Sequence, residues 1–186
     1  LECVSDIVER FYGDINADIK TIAITGTDGK SSVAHLVAQA LEKTHGPCGL
    51  MGTLGYGRLG GLVTGTHTTP PASRIAREYF QFNRMGCTAV VLEASSHGIQ
   101  QQRLQKLPIH TAVLTNITRD HLDYHKSIEE YMQAKAGLFF THNPKYAVIN
   151  IDDVTGLKWS EQLASLLDVI TFSLANTKAD IYAGDV

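Results

Sequence analysis

Thr21-Ile22-Ala23-Ile24-Thr25, followed by Gly26-Thr27-Asp28-Gly29-Lys30-Ser31-Ser32, is the stretch whose reading decides the fold. A short apolar run with β-branched residues suits a buried strand. After it, Val33, Leu36, Val37, Ala40 and Leu41 recur at i, i+3, i+4, i+7 and i+8, which predicts a helix from Ser31 with those side chains on its apolar face. Gly46-Pro47 stops that helix. Strand, glycine-rich turn and helix together form the setting in which backbone N–H groups and a helix N-terminus cradle phosphate. In such a cradle Lys30 reaches the outer phosphates and the Ser31 hydroxyl ligates Mg²⁺. The match to GxxxxGK[ST] is incomplete, because Ile24 stands where that pattern has glycine. A plain glycine-rich turn with a surface lysine is the alternative.

The same alternation continues outward. Strands are expected over 48–53, 88–92, 111–114, 146–149 and 169–172, and helices over 71–85, 128–140 and 157–167. The second helix sets Ile75, Ala76, Tyr79 and Phe82 on one face, with Gly86 just beyond its end. The glycine-rich stretch 52–65 reads as a hairpin or loop that partly buries Leu54, Tyr56 and Leu59. Near-continuous apolar strands alternating with helices predict an α/β fold: a mostly parallel sheet with helices on both faces. Ligands of such sheets bind beyond the carboxyl ends of the strands. Polar clusters fall there at 25–32, 93–97, 116–125 and 150–153.

Glu93 closes the most apolar strand, where a carboxylate facing a phosphate loop is placed to hold magnesium; a solvated glutamate is the bland alternative. Asn116-Ile117-Thr118-Arg119-Asp120-His121-Leu122-Asp123-Tyr124-His125 is dense in ligand-type side chains. Read alone, Asp120, His121, Asp123 and His125 suit a zinc or di-metal hydrolase, or a polar helix start capped by an Asp or by Ser127. With a phosphate loop nearby, the cluster reads as part of a magnesium–nucleotide site, His121 being preferred to His125. Gln100, Gln101, Gln102 and Arg103 suit an anionic or sugar-peptide ligand and are equally ordinary surface chemistry. Thr68-Thr69-Pro70-Pro71 reads as the turn leading into a helix, and Lys135 as an ordinary helical lysine. Gly65, Cys48 and Trp159 read as structural.

Composition excludes several classes. The chain has 186 residues, 44% hydrophobic and 19% charged, which excludes disorder and suits one self-sufficient core. A formal charge of −3 offers no field for nucleic acid, and no apolar run approaches a membrane span. Cys3, Cys48 and Cys87 are odd in number and lack CxxC spacing, so neither a disulfide framework nor a zinc ribbon is expected. With no signal pattern at Leu1-Glu2-Cys3-Val4, the expectation is a soluble, cytoplasmic domain taken from a longer chain, and a monomer is expected separately from that.

The motifs ITGTDGKSS, THTTP, LEASSHGIQQQR, LTNITRDHLDYH and QAKAGLF, in that order, resemble the central ATPase domain of the Mur ligases. SSHG and RDHLDYH favour the family's MurE branch, the UDP-N-acetylmuramoyl-tripeptide synthetases. The resemblance implies ATP and Mg²⁺ as cofactors, with a UDP-muramoyl dipeptide and an amino acid as substrates. The product would be an amide bond, formed through an acyl phosphate. Residues Gly26, Thr27, Asp28, Gly29, Lys30, Ser31, Ser32 and Asn116 would then hold the nucleotide. Ser31, Glu93, His121 and Lys135, the last as a carbamate, would serve the metal, with Lys30 beside them in catalysis. Thr68, Thr69, Ser95, Gln101 and Arg103 would hold the muramoyl substrate. Residues 1–19 would be the tail of an amino-terminal domain or a linker, and 20–186 a truncated central domain with the carboxy-terminal domain absent. Other readings are a folylpolyglutamate- or cyanophycin-type ligase and a non-catalytic nucleotide-binding module.

The loop departs from the family's usual GTNGKTT. Asp28 replaces Asn and puts negative charge beside the phosphates, while Ser31 and Ser32 keep the hydroxyls of the threonines they replace. His67 departs from the family pattern at a position next to the substrate threonines.

Overall fold

A computed structural model describes residues 19–118 and 124–184, together with Ile7, Phe11 and Tyr12. Arg119, Asp120, His121, Leu122 and Asp123 lie outside the described residues, as does most of the 1–19 segment.

Strands β1 (Lys20–Thr25), β2 (Cys48–Gly52), β3 (Gly55–Arg58), β4 (Ala89–Glu93), β5 (Ile109–Leu114), β6 (Tyr146–Asn150), β7 (Asp168–Ser173) and β8 (Ile181–Tyr182) form one sheet. Their order is β3-β2-β4-β1-β5-β6-β7-β8, and among these described strands the β2–β3 hairpin is the one antiparallel pair. Between the strands run α1 (Lys30–Thr44), α2 (Ala72–Arg84), α3 (Ser96–Gln100), α4 (Ile128–Phe140) and α5 (Val154–Leu163). The doubly covered parallel sheet expected from the sequence is therefore present.

Side-chain alternation along the strands divides the core in two. Ile24, Val91 and Val113 pack under α1, while Ala23, Val90, Leu92 and Ala112 pack against α2, α4 and α5. Helix α2 buries Ile75, Ala76, Tyr79 and Phe82, the four residues its periodicity singled out. Tyr79 is fully buried, and its hydroxyl hydrogen-bonds Thr21 Oγ1 at 2.8 Å, anchoring α2 to the sheet. Tyr79→Phe leaves that threonine oxygen without its partner and is expected to cost about 1–3 kcal/mol in urea unfolding. Ser127 caps α4, its hydroxyl accepting from Glu130 N at 3.2 Å, one of the two alternatives read for that segment.

Other local expectations need correction. Helix α1 buries Ala34 and Ala38, whereas Leu36 is 65% exposed and Ala40 also faces solvent. Val33, Val37 and Leu41 pack half-buried against that core as expected, and small alanines at i and i+4 let the helix backbone sit close to the sheet, which turns the face away from Leu36 and Ala40. Leu54 is 61% exposed at the hairpin tip, while Tyr56 is buried beneath the hairpin. Helix α5 begins at Val154, earlier than expected, because the Asp153 carboxylate accepts from Thr155 N and Gly156 N and caps it there. Burial pushes the Cys48 thiol up to about 12 and raises that of Cys87, so both remain buried neutral thiols.

Candidate functional site

Strand order brings the candidate loops together. β1 lies between β4 and β5, with Ile24 paired to Glu93 and Thr25 to Leu114. The segments after these three strands therefore meet at one sheet edge. Gly26 adopts φ +147°, and a Cβ there would lie 1.8 Å from Thr115 Oγ1. Only glycine lets the loop pass that close to the end of β5.

The loop is tied to β5's extension from both directions. Thr27 N donates to Asn116 O at 2.9 Å, and Asp28 N to Asn116 Oδ1 at 3.0 Å. Thr115 Oγ1 and Asn116 Nδ2 donate to Asp28 O at 2.7 and 3.2 Å. The Thr27 hydroxyl is buried against Tyr131 OH at 2.9 Å and accepts from Thr118 N at 2.9 Å. Thr27 and Asn116 thus shape the loop. Gly29 is left-handed at φ +79° and opens α1, whose first intrahelical bond runs from Val33 N to Gly29 O. The N–H groups ahead of that bond point out of the helix end, where an anion can accept from them. Lys30 Nζ folds over the loop, donating to Gly26 O at 3.0 Å and Thr27 O at 2.8 Å.

Glu93 is 1% exposed and faces this loop. Ser31 Oγ donates to its Oε2 at 2.9 Å, and Thr53 donates to both carboxylate oxygens, from N to Oε1 at 2.9 Å and from Oγ1 to Oε2 at 3.2 Å. Gly52, beside Glu93 on β2, makes room for the carboxylate: a Cβ there would lie 2.0 Å from Glu93 Oε1. Gly52→Ala is expected to displace Glu93 and raise the magnesium requirement of the full-length protein, at a stability loss of about 1–3 kcal/mol. An unchanged magnesium titration of that variant would contradict the arrangement.

Lys135 is 1% exposed, and its Nζ donates to Gly26 O at 2.7 Å, the carbonyl that Lys30 also uses. It lies 4.5 Å from the centre of the Tyr131 ring. A lysine unremarkable in sequence is therefore inside the loop's scaffold. His125 is buried, bonded through Nε2 to Ser96 Oγ at 2.9 Å and packed against the Tyr131 ring.

The residues expected to hold a substrate line the same edge. Thr69 Oγ1 donates to Glu93 O at 2.7 Å and shares a 3.0 Å bond with Ser95 Oγ. Arg103 bonds Thr69 O through Nη1 and Gln101 Oε1 through Nε and Nη2, and Gln101 Nε2 donates to Tyr124 OH. Thr68 Oγ1 meets Thr53 Oγ1 at 3.0 Å. Thr68, Ser95, Gln101 and Arg103 are thus half-buried polar groups along one edge, and Thr69, itself 1% exposed, is the buried link that ties Ser95 and Arg103 to Glu93. The 150–153 cluster is used structurally: Asp153 Oδ2 accepts from Ile117 N, and Asn150 Nδ2 donates to Thr115 O.

Ser31 Oγ and Glu93 Oε2 are hard oxygen donors at a spacing that one small cation can bridge. Among the described residues, no three His, Cys, Asp or Glu side chains converge as a metal cluster. That donor set fits Mg²⁺, which keeps much of its shell in phosphate oxygens and water, better than it fits a protein-enclosed ion. Two clefts, of about 650 and 780 Å³, lie elsewhere: one between the segment after α3 and α4, the other at the amino ends of the strands. Sequence reasoning missed Thr53, Gly52 and Tyr131. Only the neighbouring of β2 and β4, which no local pattern encodes, gives the first two away.

Among the described residues no helix is long and apolar enough to cross a membrane. Residues 24–186 match the family described as Mur ligase middle domain. A UDP-N-acetylmuramoyl-L-alanyl-D-glutamate–2,6-diaminopimelate ligase from Pseudomonas syringae pv. tomato is 43% identical over 98% of the chain and 37% of its own length. The protein of that name from Pseudomonas aeruginosa is 44% identical over 96% of the chain and 37% of its own. A solved structure of such a ligase superposes with a TM-score of 0.81 at 36% identity, covering 96% of the chain and 36% of that protein. Folylpolyglutamate synthase from Mycobacterium tuberculosis shares the fold, with a TM-score of 0.71 at 18% identity over 92% of the chain and 48% of its own. The chain thus spans a little over a third of the length of the curated relatives.

Proposed function

The chain belongs to the Mur ligase family, whose middle domain it carries, and from that premise we propose that it is the ATP-binding part of a MurE-type ligase. The full-length protein would join 2,6-diaminopimelate to UDP-N-acetylmuramoyl-L-alanyl-D-glutamate in peptidoglycan synthesis, using ATP. The single observation that carries this reading is the 2.9 Å Ser31–Glu93 pair at the mouth of the phosphate loop, beside the Thr69–Ser95–Arg103 surface.

The substrate carboxylate attacks the γ-phosphorus of ATP, giving an acyl phosphate and ADP. The amino group of the incoming amino acid then adds to the acyl carbon, and phosphate leaves as the amide forms. Ser31, Glu93 and His121 would hold a magnesium ion, which would supply charge neutralisation for the transferring phosphoryl group. Lys30 releases the loop carbonyls and turns to the outer phosphates, while the N–H groups at the start of α1 and in the loop, from Gly26 to Ser32, hold the rest. Thr68, Thr69, Ser95, Gln101 and Arg103 orient the muramoyl peptide. The Lys135 amine, once it has lost its ammonium proton, would add to CO₂ and lose a second proton, and the resulting carbamate would serve the metal site. Residues 20–186 form the ATP-binding domain and 1–19 the approach from a preceding one. The protein acts as a cytoplasmic monomer, where ATP and UDP-linked precursors are made.

The test is a substrate screen on the full-length protein. ADP release that requires both the UDP-muramoyl dipeptide and diaminopimelate is expected; turnover with a folate polyglutamate acceptor instead would move the chain to the folylpolyglutamate branch.

A further inference from the structure

Among the described residues, three hydrogen bonds hold the Glu93 carboxylate, and two of them come from one residue outside the ligand set. Resting on the assignment of Ser31 and Glu93 to the cation, we propose that Thr53 is a positioning residue that fixes the Glu93 carboxylate for magnesium and joins it to the substrate surface. Its backbone N–H donates to Oε1 and its hydroxyl to Oε2, so both oxygens are oriented by a single residue, in the exposed turn that follows β2. Gly52, immediately before it, clears the space that the carboxylate fills. Because neither Thr53 donor is a cation ligand, both hold the carboxylate in the same orientation with the cation site filled or empty. Metal-ligating carboxylates depend on such outer hydrogen bonds for orientation.

The same hydroxyl meets Thr68 Oγ1 at 3.0 Å. Since the Thr53 proton is given to Glu93, the Thr68 hydroxyl is the donor in that contact. A directed chain, Thr68 to Thr53 to Glu93, therefore runs from the muramoyl-peptide surface to the metal carboxylate. A substrate group that takes the Thr68 proton leaves the Thr53–Glu93 bond in place, so the carboxylate stays oriented as the substrate enters.

The test is Mn²⁺ binding, followed by electron paramagnetic resonance, to the full-length protein with a non-hydrolysable ATP analogue. Thr53→Val keeps the backbone donor and removes only the hydroxyl. It is expected to weaken Mn²⁺ binding about tenfold, the lower end of outer-shell effects. Thr53→Ser should restore binding to within about threefold of wild type, an effect that a purely structural role of the threonine would not produce. Thr53→Ala makes the same comparison should the valine variant fail to fold. Mn²⁺ affinity in Thr53→Val or Thr53→Ala equal to wild type overturns the proposal and leaves the cation site standing. Wild-type protein that takes up no Mn²⁺ with the analogue overturns the Ser31–Glu93 site itself.

Discussion

Lys30→Ala in the full-length protein is expected to lower ATP-dependent turnover by about a thousandfold or more, roughly 4 kcal/mol in the barrier. The lysine sits at the first position of α1, and its ammonium already lies within the loop at 2.8 Å from Thr27 O. No other cation in the loop replaces it, since Asp28 adds charge of the opposite sign. Removing a positioned donor from developing charge costs about 10²–10³ in rate, and phosphoryl transfer depends almost wholly on such positioning. Folding should survive, because the lysine's partners Gly26 O and Thr27 O can be met by Lys135 and by water. A variant that keeps near-normal turnover would contradict the phosphate-loop assignment.

Lys135→Met is expected to reduce turnover by at least about a hundredfold while leaving the folded protein close to wild type in stability. Methionine nearly matches the buried stem in volume, and Gly26 O retains Lys30 Nζ at 3.0 Å. With that donor kept, the exchange leaves no buried carbonyl unpaired, which is the main cost of removing a buried polar group. The loss should come from chemistry, because methionine cannot form the carbamate. Protein equilibrated with ¹³C-bicarbonate should show a carbamate carbon resonance in wild type and none in Lys135→Met. Equal turnover in both proteins would leave Lys135 as a strut for the loop.

Asp28→Asn offers a smaller and independent check. Asp28 is exposed at the loop, and its backbone, not its carboxylate, makes the bonds to Thr115 and Asn116. Removing its charge should tighten ATP binding severalfold, more at low salt than at high salt.

The strand–turn–helix at 21–44 was legible because apolar continuity, glycine and lysine all point to one local arrangement. Glu93 was legible for the same reason, as the polar end of an apolar run. Lys135 was not, because its significance is purely spatial: α4 carries it to a carbonyl 109 residues earlier in the chain. Thr53 and Gly52 were hidden likewise, since their roles depend on β2 pairing with β4. The face of α1 was legible through Val33, Val37 and Leu41 and missed at Leu36 and Ala40, where the alanines that touch the sheet set the helix's rotation. His121, expected at the metal site, lies outside the described residues and keeps its assignment as part of the proposal.

The most direct test is magnesium-dependent binding of a non-hydrolysable ATP analogue to the full-length protein, titrated beside Lys30→Ala. Binding that needs magnesium in wild type and is lost in the variant is the predicted result. Binding that is indifferent to magnesium, or equal in the two proteins, would contradict the account.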